Sequence, residues 1–264
     1  MAMRILKPQF DISNFFSHIA NNPNRTLLLD YDGTLAPFCS GRNQALFYPG
    51  VLTALQTLLD AKHTRVVLVS GRATKDLLPL LQLTPQPEVW GSHGHERILA
   101  NGQRRIDAPN LRNTADLALA RAWIKTIGFN QYLEEKPYGI AVHWRDLPST
   151  MIGTMRAKIL GDWSASLLKN RLRLYEFDGG IELSIPGKDK GDAVKTILSE
   201  MGSGGLVVYL GDDVTDEDAF KAIKGKGWGI LVRDKFRPTA ADLWIRPPEE
   251  LLEFLSLWHT SITN

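Results

Sequence analysis

Cysteine is almost absent from the chain. Cys39 is the only one in 264 residues, which excludes an internal disulfide and fits a reducing compartment. Long apolar runs are missing as well, since none approaches the roughly 18 residues of a membrane span. The opening stretch MAMRILKPQFDISNFF lacks the apolar core and small-residue cleavage site of a secretory leader. Charge of one sign is scarce, with a net of +2 at neutral pH, too little to argue for nucleic acid or an anionic membrane as a partner. His93 and His95, in HGH, have metal-like spacing but no further His or Cys ligands nearby. GKDKG is no phosphate-binding P-loop, because the Gly-x4-Gly-Lys-Ser/Thr order is missing. The sequence holds no internal repeat and no low-complexity segment. With 44% hydrophobic and 23% charged residues the composition is ordinary for a globular protein, and a soluble, cytoplasmic monomer is the expectation.

Strand-like runs recur with helical patterns between them: RTLLLD (25–30), TRVVLVS (64–70), EVWGSHG (88–94), GLVVYLGDD (205–213), WGILVR (228–233) and ADLWIR (241–246). Between them GVLTALQTLLDAK, DKGDAVKTILSEM, TDEDAFKAI and PPEELLEFLSLWH carry apolar spacing suited to amphipathic helices. Strands alternating with helices predict an α/β fold with a parallel sheet wrapped on both faces. The middle of the chain differs. Helix, strands, helix and strands follow one another there, with hairpin-like Tyr-Gly and Asp-Gly-Gly turns, as in a small α+β unit. It interrupts the sheet domain, giving a core over 1–107 and 187–264 and an insertion over 108–186.

The informative polar residues of the outer segments fall at or after strand ends. LLLDYDGTL (27–35) is the sharpest case. Three leucines read as a strand buried on both faces, and alternation points Asp30 and Asp32 to one side as it emerges. Like charges this close repel unless a cation or a proton holds them. The carboxyl edge of a parallel sheet is also where α/β proteins bind ligands, so a metal site, acid–base chemistry, or both are indicated. Ser70 closes the second strand, Lys190 opens a helix, and Asp212, Asp213 and Asp216 follow a later strand. Carboxylates, a hydroxyl and an ammonium converging on one edge suit Mg²⁺ shared with a phosphate. Any one of these elements alone reads as a cap or a turn; four in order, each at a strand end, do not.

In that ordered set the sequence resembles the haloacid dehalogenase superfamily of phosphohydrolases. DYDGT is similar to its first motif, SGR to the second, Lys190 to the third and GDDVTD to the fourth. The resemblance implies a Rossmann-like core and an aspartyl-phosphate mechanism in which Asp30 attacks phosphorus. Asp32 protonates the leaving alcohol and then activates water. Ser70 and Lys190 hold the phosphate with Gly71 and Arg72 beside them, and Mg²⁺ is bound by Asp30, the Asp32 carbonyl and Asp212. Whether Asp213 and Asp216 touch the metal stays open.

The insertion lies between the second and third motifs, where the superfamily carries its type 2 cap. LEEKPYGIAVHWR and GGIELSIPGKDKG within it, GSHGHE in the core and YLGDDVTDEDAF at the fourth motif are similar to the trehalose-6-phosphate phosphatase family. That resemblance implies trehalose 6-phosphate as substrate, with Glu134, Lys136 and Glu182 addressing sugar hydroxyls and His143 and Arg145 matching the family's HxR. Glu134 is preferred to Glu135 because it shares a strand face with Lys136. The alternatives are a related phosphatase acting on glucosylglycerol phosphate, mannosyl-phosphoglycerate or sucrose phosphate, and a catalytically dead regulatory subunit. A synthase partner is left open.

Overall fold

The computed structural model describes residues 3–38, 45–165, 168 and 171–263; Cys39 lies outside the described residues. The chain runs β1 (Arg4–Ile5), α1 (Ile12–Asn21), β2 (Arg25–Leu29), α2 (Val51–Ala61), β3 (Arg65–Val69), α3 (Thr74–Leu81), β4 (Glu88–Gly91), β5 (Glu96–Ile98) and β6 (Arg104–Ile106). Next come α4 (Leu111–Thr126), β7 (Leu133–Lys136), β8 (Gly139–His143), α5 (Ser149–Ala165), β9 (Arg173–Phe177) and β10 (Gly180–Ser184). It closes with α6 (Lys190–Met201), β11 (Leu206–Gly211), α7 (Glu217–Ile223), β12 (Gly227–Val232), β13 (Leu243–Ile245) and α8 (Glu249–Thr263). Two compact units result, Met1–Arg105 with Asp189–Asn264, and Ile106–Lys188. Among the described residues no helix is long and apolar enough to cross a membrane.

The first unit is built on a sheet of order β1-β13-β12-β11-β2-β3-β4-β5-β6. From β13 to β4 the pairing is parallel, as alternating strands and helices dictate. Its edges turn antiparallel, β1 against β13 and β5 against β4. Alternation along the central strands feeds two cores. Leu27, Leu29, Val66, Leu68, Val208 and Leu210 pack with α1, α2 and α8 residues such as Phe15, Leu55 and Trp258. Leu28, Val67, Val69, Val207 and Tyr209 pack on the other face with Val194, Ile197 and Phe220. Both faces are therefore covered, which explains why these strands read as continuous apolar runs.

Local signals account for the elements that carry the site. α6 starts where Asp189 caps it, in a reciprocal capping box with Asp192, so Lys190 sits in the first turn. β2 and β11 run in parallel register to Leu29 opposite Leu210, and the Asp30 N–H extends that ladder to the Leu210 carbonyl at 2.9 Å. Ser70 N–H is anchored likewise to the Trp90 carbonyl at 2.8 Å. The strand expected over 88–94 stops at Gly91 and turns into one 3₁₀ turn, Ser92–Gly94, with Ser92 and His93 both at positive φ.

The second unit is a four-stranded antiparallel sheet, β7-β8-β10-β9. Ile140, Val142, Ile181 and Leu183 form one face and pack with Leu117, Ala120 and Ile124 of α4 and Met155 and Ile159 of α5. The first hairpin turns at Pro137-Tyr138 instead of Tyr-Gly, because Gly139 already pairs with Lys136. The second turns at Asp178-Gly179, between Phe177 and its partner Gly180.

Candidate active site

At the carboxyl ends of β2 and β11, Lys190 Nζ donates to Asp30 Oδ1 at 2.6 Å and to Asp216 Oδ1 at 2.7 Å. Thr34 donates to the second Asp30 oxygen at 3.1 Å. The Tyr209 hydroxyl donates to Asp216 Oδ1 at 2.6 Å, and the N–H groups of Asp212 and Asp213 to its Oδ2 at 3.1 and 2.9 Å. Asp216 is thereby saturated with donors. It fixes Lys190 and the loop, and has little acceptor capacity left for a ligand. Asp213 turns its carboxylate onto the Val214 N–H at 2.7 Å, as a cap. Tyr209 and Thr34 carry signals that sequence reasoning passed over: a lone hydroxyl within an apolar strand, and the Thr of Asp-Gly-Thr.

One oxygen from each of Asp30, Asp212 and Asp216 comes within 4.8 Å of the others. Three buried carboxylates face one buried ammonium, so protons are held where a cation could sit. Burial chiefly pushes Asp30 up to about 7, with Lys190 opposing and Asp216 adding to the rise. Asp212 is raised well above the carboxylate range, first by burial and then by Asp30. Burial works to lower Lys190, but Asp216 and Asp30 outweigh it and raise its pKa. Both Asp212 oxygens are buried without a hydrogen bond, and Arg233 stands off at 3.7 Å. Orphaned carboxylate oxygens beside an anionic neighbour fit a hard divalent cation, which would replace the protons. Gly33, at φ +84°, makes the fit possible, since a Cβ there would stand 2.3 Å from Asp212 Oδ2.

Asp32 is not part of this cluster. Arg72 donates to both of its oxygens, at 2.7 and 2.6 Å, a bidentate pair that sets position as well as charge. Ser70 is buried, and its Oγ accepts from the Arg72 N–H at 3.1 Å. The His93 ring lies against Gly71, with room for no side chain there. The His93 N–H bonds the Ser70 carbonyl at 3.1 Å, and the Ser92 N–H bonds the Arg72 carbonyl at 2.7 Å. Glu96, buried, ties down the same loop by accepting from Ser92 Oγ at 2.6 Å and from the Thr74 N–H at 3.0 Å. Ser92, His93 and Glu96 of this loop thus brace Ser70, Gly71 and Arg72.

In the inserted unit, Glu134 and Glu182 flank Ala141 across neighbouring strands. His143 Nε2 lies 2.6 Å from Glu134 Oε2, and Lys136 pairs with Glu182. These four side chains share the sheet face opposite the unit's apolar core. Arg145 donates to the Asp178 carbonyl at the second hairpin. Glu135 points to the other side and pairs with Arg121 at 2.6 Å.

Comparison with known proteins places this geometry. Residues 28–242 match the family model described as trehalose-phosphatase. Trehalose-phosphate phosphatases of Mycobacterium tuberculosis and Mycobacterium bovis are 32% identical over 249 residues, covering 89% of this chain and 61% of theirs. The chain thus spans about three-fifths of the length of these curated relatives. Among solved structures, the C-terminal domain of Candida albicans trehalose-6-phosphate phosphatase superposes with a TM-score of 0.80 at 19% identity, covering 97% of this chain and 99% of that one. A haloacid dehalogenase-like hydrolase from B. subtilis gives 0.63 at 14% identity over 88% and 98%. The C-terminal domain of a Candida albicans trehalose synthase regulatory protein gives 0.67 at 14% identity over 95% and 98%. The fold alone is therefore shared by catalytic and regulatory proteins, and the residues of the site must separate them. With residues 28–242 matching that family model and relatives at 32% identity, the chain belongs to the trehalose-phosphatase family.

Proposed function

We propose that this chain hydrolyses trehalose 6-phosphate to trehalose and inorganic phosphate through an aspartyl-phosphate on Asp30. The observation that carries the reading is the sealed Asp30–Lys190 pair beside an Asp212 whose oxygens have no hydrogen-bond partner among the described residues. A regulatory relative has no need to keep so costly a cluster.

Asp30 is the nucleophile: as a carboxylate it needs no separate base. Lys190 holds it in place and neutralises charge on the incoming phosphoryl group. Asp30, the Asp32 carbonyl and Asp212 are the residues that would hold Mg²⁺, with Asp216 behind them. Bound Mg²⁺ would offset the repulsion between an anionic nucleophile and an anionic ester. Asp32, released by Arg72 as substrate enters, takes up a proton from solvent; attack breaks the bond from phosphorus to the sugar oxygen, and Asp32 passes that proton to the oxygen. Asp32 then takes a proton from the water that cleaves the acyl-phosphate, which frees Asp30 and phosphate. Ser70 and the backbone at Gly71 meet phosphate oxygens. Arg72 gives up Asp32 for the phosphate as substrate enters, because one guanidinium cannot hold both anions bidentately.

The inserted segment is the reader of the leaving group. Carboxylates at Glu134 and Glu182 accept from sugar hydroxyls while Lys136, His143 and Arg145 donate. Such a site rejects esters lacking those hydroxyls, because its own polar groups would be left unpaired. Phosphate release from a panel of trehalose 6-phosphate, sucrose phosphate, glucosylglycerol phosphate and mannosyl-phosphoglycerate tests the reading. The first should have the highest kcat/KM. Faster turnover of another ester would reassign the substrate, and no release from any would return the chain to the regulatory class.

A further inference from the structure

The loop that presents Asp212 is tied on both sides of its backbone. Its N–H groups, those of Asp212 and Asp213, go to Asp216. Its carbonyls go to a residue no motif contains. Arg237 donates from Nε to the Asp212 carbonyl at 3.0 Å and from Nη2 to the Asp213 carbonyl at 2.6 Å. Arg237 Nη1 reaches Glu217 at 2.5 Å and the Pro238 carbonyl at 3.0 Å. Glu217 spends its other oxygen on the Ala240 N–H at 2.8 Å. The side chains of Arg237 and Glu217 are each 16% exposed, so the pair is shielded from water. The backbone of Asp212 is thus bonded at both its N–H and its carbonyl, while its carboxylate has no hydrogen bond. Arg237 spends its donors on the backbone and Glu217, and leaves those oxygens to a cation.

We propose that Arg237, held by Glu217, is a positioning residue that fixes Asp212 in the geometry a divalent cation requires. The inference rests on the reading of Asp212 as a metal ligand. Only a planar fork with several N–H groups can span two successive carbonyls and a carboxylate; a lysine ammonium is a single point and cannot. Groups that orient a metal ligand from behind are typically worth ten- to a hundredfold in metal affinity.

Mn²⁺ provides a probe that needs no turnover. Titration of the full chain without substrate, followed by the electron paramagnetic resonance signal of free Mn²⁺, gives the affinity directly. Arg237→Ala should weaken it roughly ten- to a hundredfold, Arg237→Lys less, and Glu217→Gln least. The Mg²⁺ concentration needed for half-maximal phosphate release should rise in the same order. Ile19→Val, a core change in α1, should leave Mn²⁺ affinity unchanged, which separates positioning from general loosening. Wild-type Mn²⁺ affinity in folded Arg237 variants, alongside a loss in Asp212→Ala, would overturn this inference alone. Should Arg237→Ala fail to fold, Arg237→Lys decides by the same criterion. Undiminished Mn²⁺ binding in Asp212→Ala would take the metal assignment down with it.

Discussion

The two units hold their charged groups in opposite ways. In the sheet unit, the Lys190, Asp30 and Asp216 side chains are 4, 4 and 0% exposed, and each is fixed by several bonds. In the inserted unit, His143 is 41% and Lys136 18% exposed, set against Glu134 at 12% and Glu182 at 7%. The difference matches the two roles proposed above. Charge that must act on reacting atoms works best where water is excluded and the dipoles are already oriented. Under the reading proposed above, the groups of the inserted unit exchange partners with a hydroxylated ligand, and the more solvated donor, His143, does so at least cost. The first arrangement is sealed from water throughout; the second opens to water on its donor side.

Substitutions should break the two sites differently. Asp30→Asn keeps the shape of the nucleophile and removes its charge, so turnover should fall by about four to six orders of magnitude, the scale of losing a nucleophile. Beryllium fluoride should label Asp30 in the wild type. An adduct on another residue, or a brisk Asp30→Asn enzyme, would remove the core from the comparison. Glu134→Ala, Lys136→Ala and Glu182→Ala should each cut kcat/KM for trehalose 6-phosphate by roughly ten- to a thousandfold, on the scale of one to three charged hydrogen bonds. Hydrolysis of p-nitrophenyl phosphate should stay close to wild type, since it has no sugar to read. Equal losses on both esters would mean that these residues support the fold and not recognition.

The smallest effect concerns stability. Without metal, Asp30 has its pKa raised to about 7, so the folded state binds its proton more tightly than the unfolded chain does. Its contribution is complete below about pH 4 and is lost as pH rises through about 7. In chelator, wild type should therefore lose melting temperature relative to Asp30→Asn across that window, by a few degrees. Added Mg²⁺ should remove the difference. A gap that stays flat with pH would show that Asp30 does not hold the proton.

Much of this was readable from residues. The apolar runs of β2, β3, β11 and β12 declare strands buried on both faces; Asp30, Ser70 and Asp212 sit where strands end, and Lys190 opens a helix. The short strands β5 and β6 did not show, being three residues long with sequences Glu-Arg-Ile and Arg-Arg-Ile that carry no strand period. α3 was hidden by its brevity and by Pro79 in its interior. The pairing of Arg72 with Asp32 joins residues 40 apart in sequence, and Arg237 reaches Asp212 across 25. Neither spacing carries a local signal, because such contacts exist only once the strands are ordered side by side. Glu96 was quoted within GSHGHE without a role, since a buried carboxylate is legible only when its donors are in view.

The sheet unit is discontinuous in sequence, and this sets an order on its birth. β2 takes one neighbour, β3, from the first segment and the other, β11, from the second, with the whole inserted unit emerging between them. On the ribosome, Ile106–Lys188 is complete while Asp30 still lacks Lys190 and half of the sheet that will flank it. Closing that long loop comes last, as contacts of high sequence separation do. Until residue 216 has been made, the nascent chain contains the whole inserted unit but not the buried cluster of Asp30, Lys190, Asp212 and Asp216, so the most costly group of charges in the fold is assembled after everything inserted ahead of it.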